Sequence, residues 1–180
     1  MDPSVWLAAH RTGGLAADAL ACFDRCGTVG PGELTGRWRG SGLPTGHPFD
    51  GLLEDYGWYG KEVVDPETVH PLLFRDRRGR PRPVDPTHAP LALLRRAPGL
   101  ARTTAARTGF AVVRPLRTTR RPAARVRAVE FRGVLSAALV YDRLPIIDVL
   151  RRADEATLLG LMDLRGVPAP FFFVLRRDNP

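Results

Sequence analysis

Lysine is nearly missing from this chain: Lys61 stands alone among 180 residues, and arginine supplies the rest of the cationic charge. Cysteine is almost as scarce. Cys22 and Cys26 cannot build the multi-bridge scaffold of a small secreted protein. No third cysteine is present to complete a tetrahedral metal site, so at i, i+4 they read as buried thiols of a helix. The four histidines, at 10, 47, 70 and 88, fall at no metal-ligand spacing. No metal and no cofactor are expected. No apolar window approaches the roughly 18–20 residues that a membrane-spanning helix needs. The start, Met1-Asp2-Pro3, lacks the basic and apolar stretches of a secretion signal, which gives a cytoplasmic protein as the expectation. There is no glycine-rich phosphate loop, and no serine sits in a nucleophile elbow.

What is present is a chain 44% apolar, enough for a real core, with 18 Gly and 17 Pro, short of low complexity. The net charge of +8 hides an asymmetry. Residues 75–127 hold fifteen arginines against Asp76 and Asp85, so the remainder is mildly acidic. A basic middle is set into an acidic body.

Residues 1–28 read as a helical segment, with Trp6, Leu7, Ala19, Cys22 and Phe23 at helical spacing and a break at Gly13-Gly14. Period two follows: Leu34, Gly36, Trp38 and Gly40 share one strand face, Thr35, Arg37, Arg39 and Ser41 the other. Residues 47–56 suggest a short helix, and Trp58–Val64 and Val69–Arg75 are strands. Asp76 to Pro86 reads as a loop of arginine and proline. Residues 76–125 form an Arg-rich insert expected to hold two short amphipathic helices, one from Leu91, Leu94 and Ala97, the other around Phe110 and Val113. Over 126–178, five short β runs are separated by turns at Gly133, Asp142-Arg143, Asp154-Glu155 and Gly166–Pro170. Together with 30–75 they give about eight strands, which suits a closed antiparallel barrel.

The residues also carry a resemblance. Gly36-Arg-Trp-Arg-Gly40, with Leu43-Pro-Thr-Gly-His-Pro-Phe-Asp-Gly51 and Gly57-Trp-Tyr-Gly-Lys61, resembles the bacterial GXWXG family. Glu130-Phe-Arg-Gly133, Val140-Tyr-Asp142, Leu144-Pro-Ile-Ile-Asp148, Leu159-Gly-Leu-Met-Asp163 and Phe172-Phe-Val-Leu175 resemble its companion C-terminal domain of unknown function. The resemblance implies a lipocalin/calycin-like β-barrel, here with an N-terminal helix and a basic helical insert. Lipocalins place an arginine from a late strand over a first-strand tryptophan. On that analogy Trp38 closes the barrel bottom under Arg176 or Arg177.

The candidate chemistry is sparse. His47 and Asp50, at i, i+3, are the candidates for catalysis as an oriented general base, but the expected arrangement is a local turn in which Asp50 caps backbone N–H groups. Trp58, Tyr59 and Lys61 are expected to bind ligand: with Tyr59 and Lys61 on one strand face, the lysine is a point charge for a ligand carboxylate, the alternative being an exposed edge-strand lysine. Tyr141, Asp148 and Asp163 join the ligand-binding set. Asp148 and Asp163 interrupt apolar runs, so each must face water or find a partner. The function expected is non-catalytic binding of a small hydrophobic or amphipathic ligand, such as a fatty acid or isoprenoid. The alternative is a small barrel cyclase or isomerase of secondary metabolism in the same cavity. Residues 90–121 are a candidate for transient contact with an acidic membrane surface; nucleic acid is not expected, and a homodimer stays open.

Overall fold

In the computed structural model, which describes residues 1–88 and 96–178, the sheet strands are β1 (Gly36–Leu43), β2 (Trp58–Asp65), β3 (Thr68–Arg75), β4 (Pro81–Pro83), β5 (Ala124–Phe131), β6 (Val134–Tyr141), β7 (Ile146–Arg152), β8 (Thr157–Leu164) and β9 (Val167–Arg177). They pair antiparallel in the order β2-β1-β9-β8-β7-β6-β5-β3, and β2 pairs with β3 to close an eight-stranded barrel. β4, inside the stretch expected to be loop, lies outside the ring against β3. The closure is thinnest between β3 and β5, at the pair Val69↔Ala124.

The helical start is two helices, α1 (Pro3–Ala9) and α2 (Ala16–Arg25). Asp2 caps α1 by accepting from the Ser4 and Val5 amides. The break falls at the expected glycines. Gly13 has φ +119°, and a β-carbon there would meet the Pro44 carbonyl oxygen at 2.6 Å. α2 buries Ala19, Cys22 and Phe23, with its C-cap Cys26, on the outside of the barrel, against Leu159, Leu161, Phe172 and Val174. This explains why β8 and β9 read as unbroken apolar runs rather than alternating ones: Phe171, Phe173 and Leu175 point into the barrel, while Phe172 and Val174 point outward beneath the helices.

Between β1 and β2 the helix is only α3 (Leu52–Asp55), shorter than the expected 47–56, because Asp50 folds the preceding residues into a turn. The insert holds α4 (Pro98–Ala101) and α5 (Thr104–Val113), then a 3₁₀ turn Arg114–Arg117. Of the helix expected from Leu91, Leu94 and Ala97, residues 89–95 lie outside the described residues. The insert's two ends are stitched by the bridge Val84↔Thr118.

Candidate functional site

The G-x-W-x-G stretch of β1 sets Trp38 at one end of the barrel. Trp38 is buried, and its indole N–H donates to the Leu34 carbonyl at 2.8 Å. Of the two candidate arginines, Arg177 covers it: the guanidinium lies 4.3 Å from the ring centroid and donates to the Glu33 and Thr35 carbonyls. Arg176 points to the other face and is exposed. The motif's second glycine serves a different tryptophan. A β-carbon on Gly40 would sit 2.3 Å from the Trp58 ring, so Gly40 makes the space that Trp58 fills.

A bulge then decides which β2 residues face inward. Gly60 has φ +148°, and a β-carbon there would lie 1.9 Å from the Trp38 carbonyl oxygen. The β2–β3 register slips at Trp58/Gly60 and again at Gly60/Glu62. The slip breaks strict alternation, so both Trp58 and Lys61 enter the lumen and Tyr59 does not. Tyr59 instead donates its hydroxyl to Asp178, with the Arg75 and Arg39 guanidiniums 4.7 and 5.6 Å from its ring centroid. The expected pairing of Tyr59 and Lys61 on one face is therefore corrected. Asp163 is exposed and takes no part in the interior.

Lys61 lies on β2 and Asp148 on β7, diametrically opposed strands of the eight. Their side chains meet across the lumen, with Lys61 Nζ 2.7 Å from Asp148 Oδ2 and both side chains under 5% exposed (4% and 2%). Nζ also donates to the Pro71 carbonyl at 3.2 Å and to the Tyr141 hydroxyl at 3.3 Å, which uses all three ammonium protons. The Tyr141 hydroxyl donates in turn to Asp148 Oδ2 at 3.1 Å. Burial, reinforced by the Asp148 charge, pushes the Tyr141 hydroxyl well above the ordinary phenol range, so it is a neutral donor. The rings of Phe173, Trp58 and Tyr141 lie 4.8–5.8 Å from Nζ.

This strut is the polar floor of a cavity of about 130 Å³. Its walls include Ile146, Met162, Leu164, Phe171 and Phe173, and Phe49, Leu52, Leu53, Pro86 and Leu144 surround the end opposite Trp38. The cavity thus brings together Trp58, Lys61, Tyr141 and Asp148 and leaves out Tyr59 and Asp163. The lysine is not a free charge awaiting a carboxylate, because Asp148 already neutralises it. Both Lys61 and Tyr141 bond to Oδ2, and neither uses Oδ1.

His47 and Asp50 form the turn. Asp50 Oδ2 accepts from the Thr45, Gly46 and His47 amides, each at 2.8 Å. His47 Nδ1 accepts from the Phe49 amide at 3.1 Å, which puts the proton on Nε2, a buried atom, with the Ala169 backbone near the ring. Burial lowers the imidazole's pKa, against an opposing pull from Asp50. The ring packs on Phe49 and Phe171 and lines a separate surface cleft beside Arg96, not the barrel cavity. Among the described residues no group of three His, Cys, Asp or Glu could hold a metal ion, and no helix is long and apolar enough to cross a membrane.

The GXWXG protein family matches residues 21–79, and the domain of unknown function DUF4334 matches residues 122–177. No curated protein matches the chain. Among solved structures, the crystal structure of a protein from Thermomonospora curvata is similar, with 28% identity and a TM-score of 0.74 over 99% of this chain and 100% of that one.

Proposed function

For this chain, whose residues 21–79 match the GXWXG family and 122–177 the domain of unknown function DUF4334, we propose that the barrel binds one small, largely apolar molecule bearing a neutral hydrogen-bonding group. The observation that carries this reading is the apolar cavity floored by an internally neutralised Lys61–Asp148–Tyr141 cluster. A fixed ammonium alone would select an anion. A pair that already cancels selects a hydroxyl or similar group, which can donate to Asp148 Oδ1 without meeting an uncompensated charge. The volume sets the size. At about 130 Å³ the space resembles the roughly 150 Å³ cavity that holds a benzene ring, not the roughly 300 Å³ or more of sites for larger ligands. Within the small hydrophobic or amphipathic class expected from the sequence, a single ring or short branched chain fits this volume better than a long-chain fatty acid.

The test is calorimetric titration with phenol, cyclohexanol and benzoate. Phenol and cyclohexanol should bind saturably and benzoate should not, and Met162→Trp, which fills the cavity, should abolish binding. Benzoate binding as tightly as phenol would defeat the reading.

A second reading has its own support. Asp148 and the neutral Tyr141 hydroxyl set a carboxylate and an acid in the lining of one apolar cavity, the pairing a proton-shifting isomerase or cyclase uses. Tyr141→Phe separates the two. A carrier loses at most a few-fold in affinity, whereas an acid–base catalyst keeps affinity and loses about 10²-fold or more in turnover.

A further inference from the structure

The insert presents a helix that, among the described residues, is largely open to solvent. α5 buries none of its residues, and the apolar side chains that follow one another along its end are open to solvent: Val112 is 63% exposed, Val113 41% and, in the 3₁₀ turn, Leu116 84%. Arg114 and Arg117 lie between and beside them, and Arg120 and Arg121 follow, both exposed. The helix stays on the barrel through Phe110, whose ring packs on Tyr56 at 4.9 Å and Phe74 at 5.2 Å, and through Arg107 paired with Asp55 at 3.5 Å. Tyr56 adjoins α3, and α3 supplies Leu52 and Leu53 to the rim of the cavity.

We propose that α5 and the turn after it, from Val112 to Arg121, dock onto an anionic lipid bilayer. Two features together select this partner. Apolar side chains exposed to this degree gain by leaving water, and the arginines around them gain by meeting lipid phosphates. A second copy of this chain fits less well. A two-fold interface would set the same arginine-rich face against itself, in a region of fifteen arginines and two aspartates. Nucleic acid fits less well too: Phe110, the aromatic of the segment, is already committed between Tyr56 and Phe74 and cannot stack on a base. The proposal does not depend on what the cavity holds.

Vesicle flotation with the full chain tests it, using phosphatidylcholine vesicles with and without phosphatidylglycerol. The chain should float with the mixed vesicles and not with phosphatidylcholine alone. Leu116→Ser should weaken binding roughly tenfold, as loss of buried apolar area does, and Arg120→Gln and Arg121→Gln about fivefold each. Neither class of variant should move the melting temperature, since the side chains altered are exposed. Equal binding to both vesicle types would overturn the proposal. So would a concentration-dependent dimer abolished by Leu116→Ser, or binding of an oligonucleotide that survives that substitution while vesicles are ignored.

Discussion

Lys61 and Asp148 touch because the ring of strands is closed: each reaches inward from its own side, and the two side chains span the lumen between them. A buried charge that loses its partner is expensive, about 3–5 kcal/mol, whereas replacing both partners by apolar groups of similar volume is often neutral or better. Lys61→Met should therefore lower unfolding stability by about 3–5 kcal/mol in urea titrations. Lys61→Met with Asp148→Leu should recover most of that loss. An unchanged midpoint in the single variant would mean that Asp148 is not dependent on Lys61. His47 and His70 act at the same scale with opposite chemistry. Both have pKa values lowered by burial, opposed by Asp50 and Glu62 respectively. The unfolded chain takes up these protons near pH 6.5 while the folded one resists, so the unfolded state binds more protons below that pH. Stability should be full above about pH 6.5 and decline as pH falls through 6 to 5. His47→Gln and His70→Gln should each flatten the decline. Asp24, held low by its bond to Arg132, contributes its own loss only at more acidic pH.

At the scale of elements, β1 and β2 show how a short motif shapes an interior. Gly40 and Trp58 belong to different strands but share one volume. Gly40→Ala should cost about 1–3 kcal/mol as overpacking. In a Trp58→Leu background the same substitution should cost almost nothing, because the clashing ring is gone. A four-chain unfolding cycle measures that coupling, and additive effects would refute the shared-volume account. The same two strands mark what was legible in the sequence. Period two grouped Trp38 with Leu34, Gly36 and Gly40 on one face, and that face holds because β1 keeps an unbroken register with β9; it left Arg176 and Arg177 open. It failed at Tyr59 and Lys61, because a bulge at Gly60 shifts the count by one and a glycine alone does not announce a bulge. Asp148 was recognisable as needing a partner, since it interrupts an apolar run. That the partner is Lys61, 87 residues earlier on the opposite strand, follows only from closure. The helix expected over 47–56 shrank for a local reason: Asp50 spends its carboxylate on three backbone amides before α3 begins.

For the whole molecule, the eight-stranded ring and the basic insert are separable in their contacts. Every barrel strand lies outside residues 87–116, and the chain enters and leaves the insert at neighbouring points: the Asp85 amide donates to the Arg117 carbonyl at 3.0 Å, and the Thr119 amide to the Pro83 carbonyl at 3.1 Å. A short Gly-Ser linker in place of 87–116 can therefore join ends that the barrel already holds together. What is lost is the cover over Tyr56 and Phe74, chiefly Phe110, together with the Tyr56–Ala101 hydrogen bond of 2.7 Å, the Arg102 hydrogen bonds to the Pro48 and Asp50 carbonyls and the Arg107–Asp55 pair. Losing two half-buried aromatic contacts, three hydrogen bonds and an exposed ion pair should cost about 3–6 kcal/mol. The near-ultraviolet signal of Trp38 and Trp58 should persist, because both rings are fixed by β1, β2 and β9. The shortened chain should no longer float with anionic vesicles, and it should release phenol faster, because the insert backs the α3 side of the cavity rim. A shortened chain that fails to fold would show instead that the insert completes the barrel, and the division between a binding body and an accessory surface would not hold.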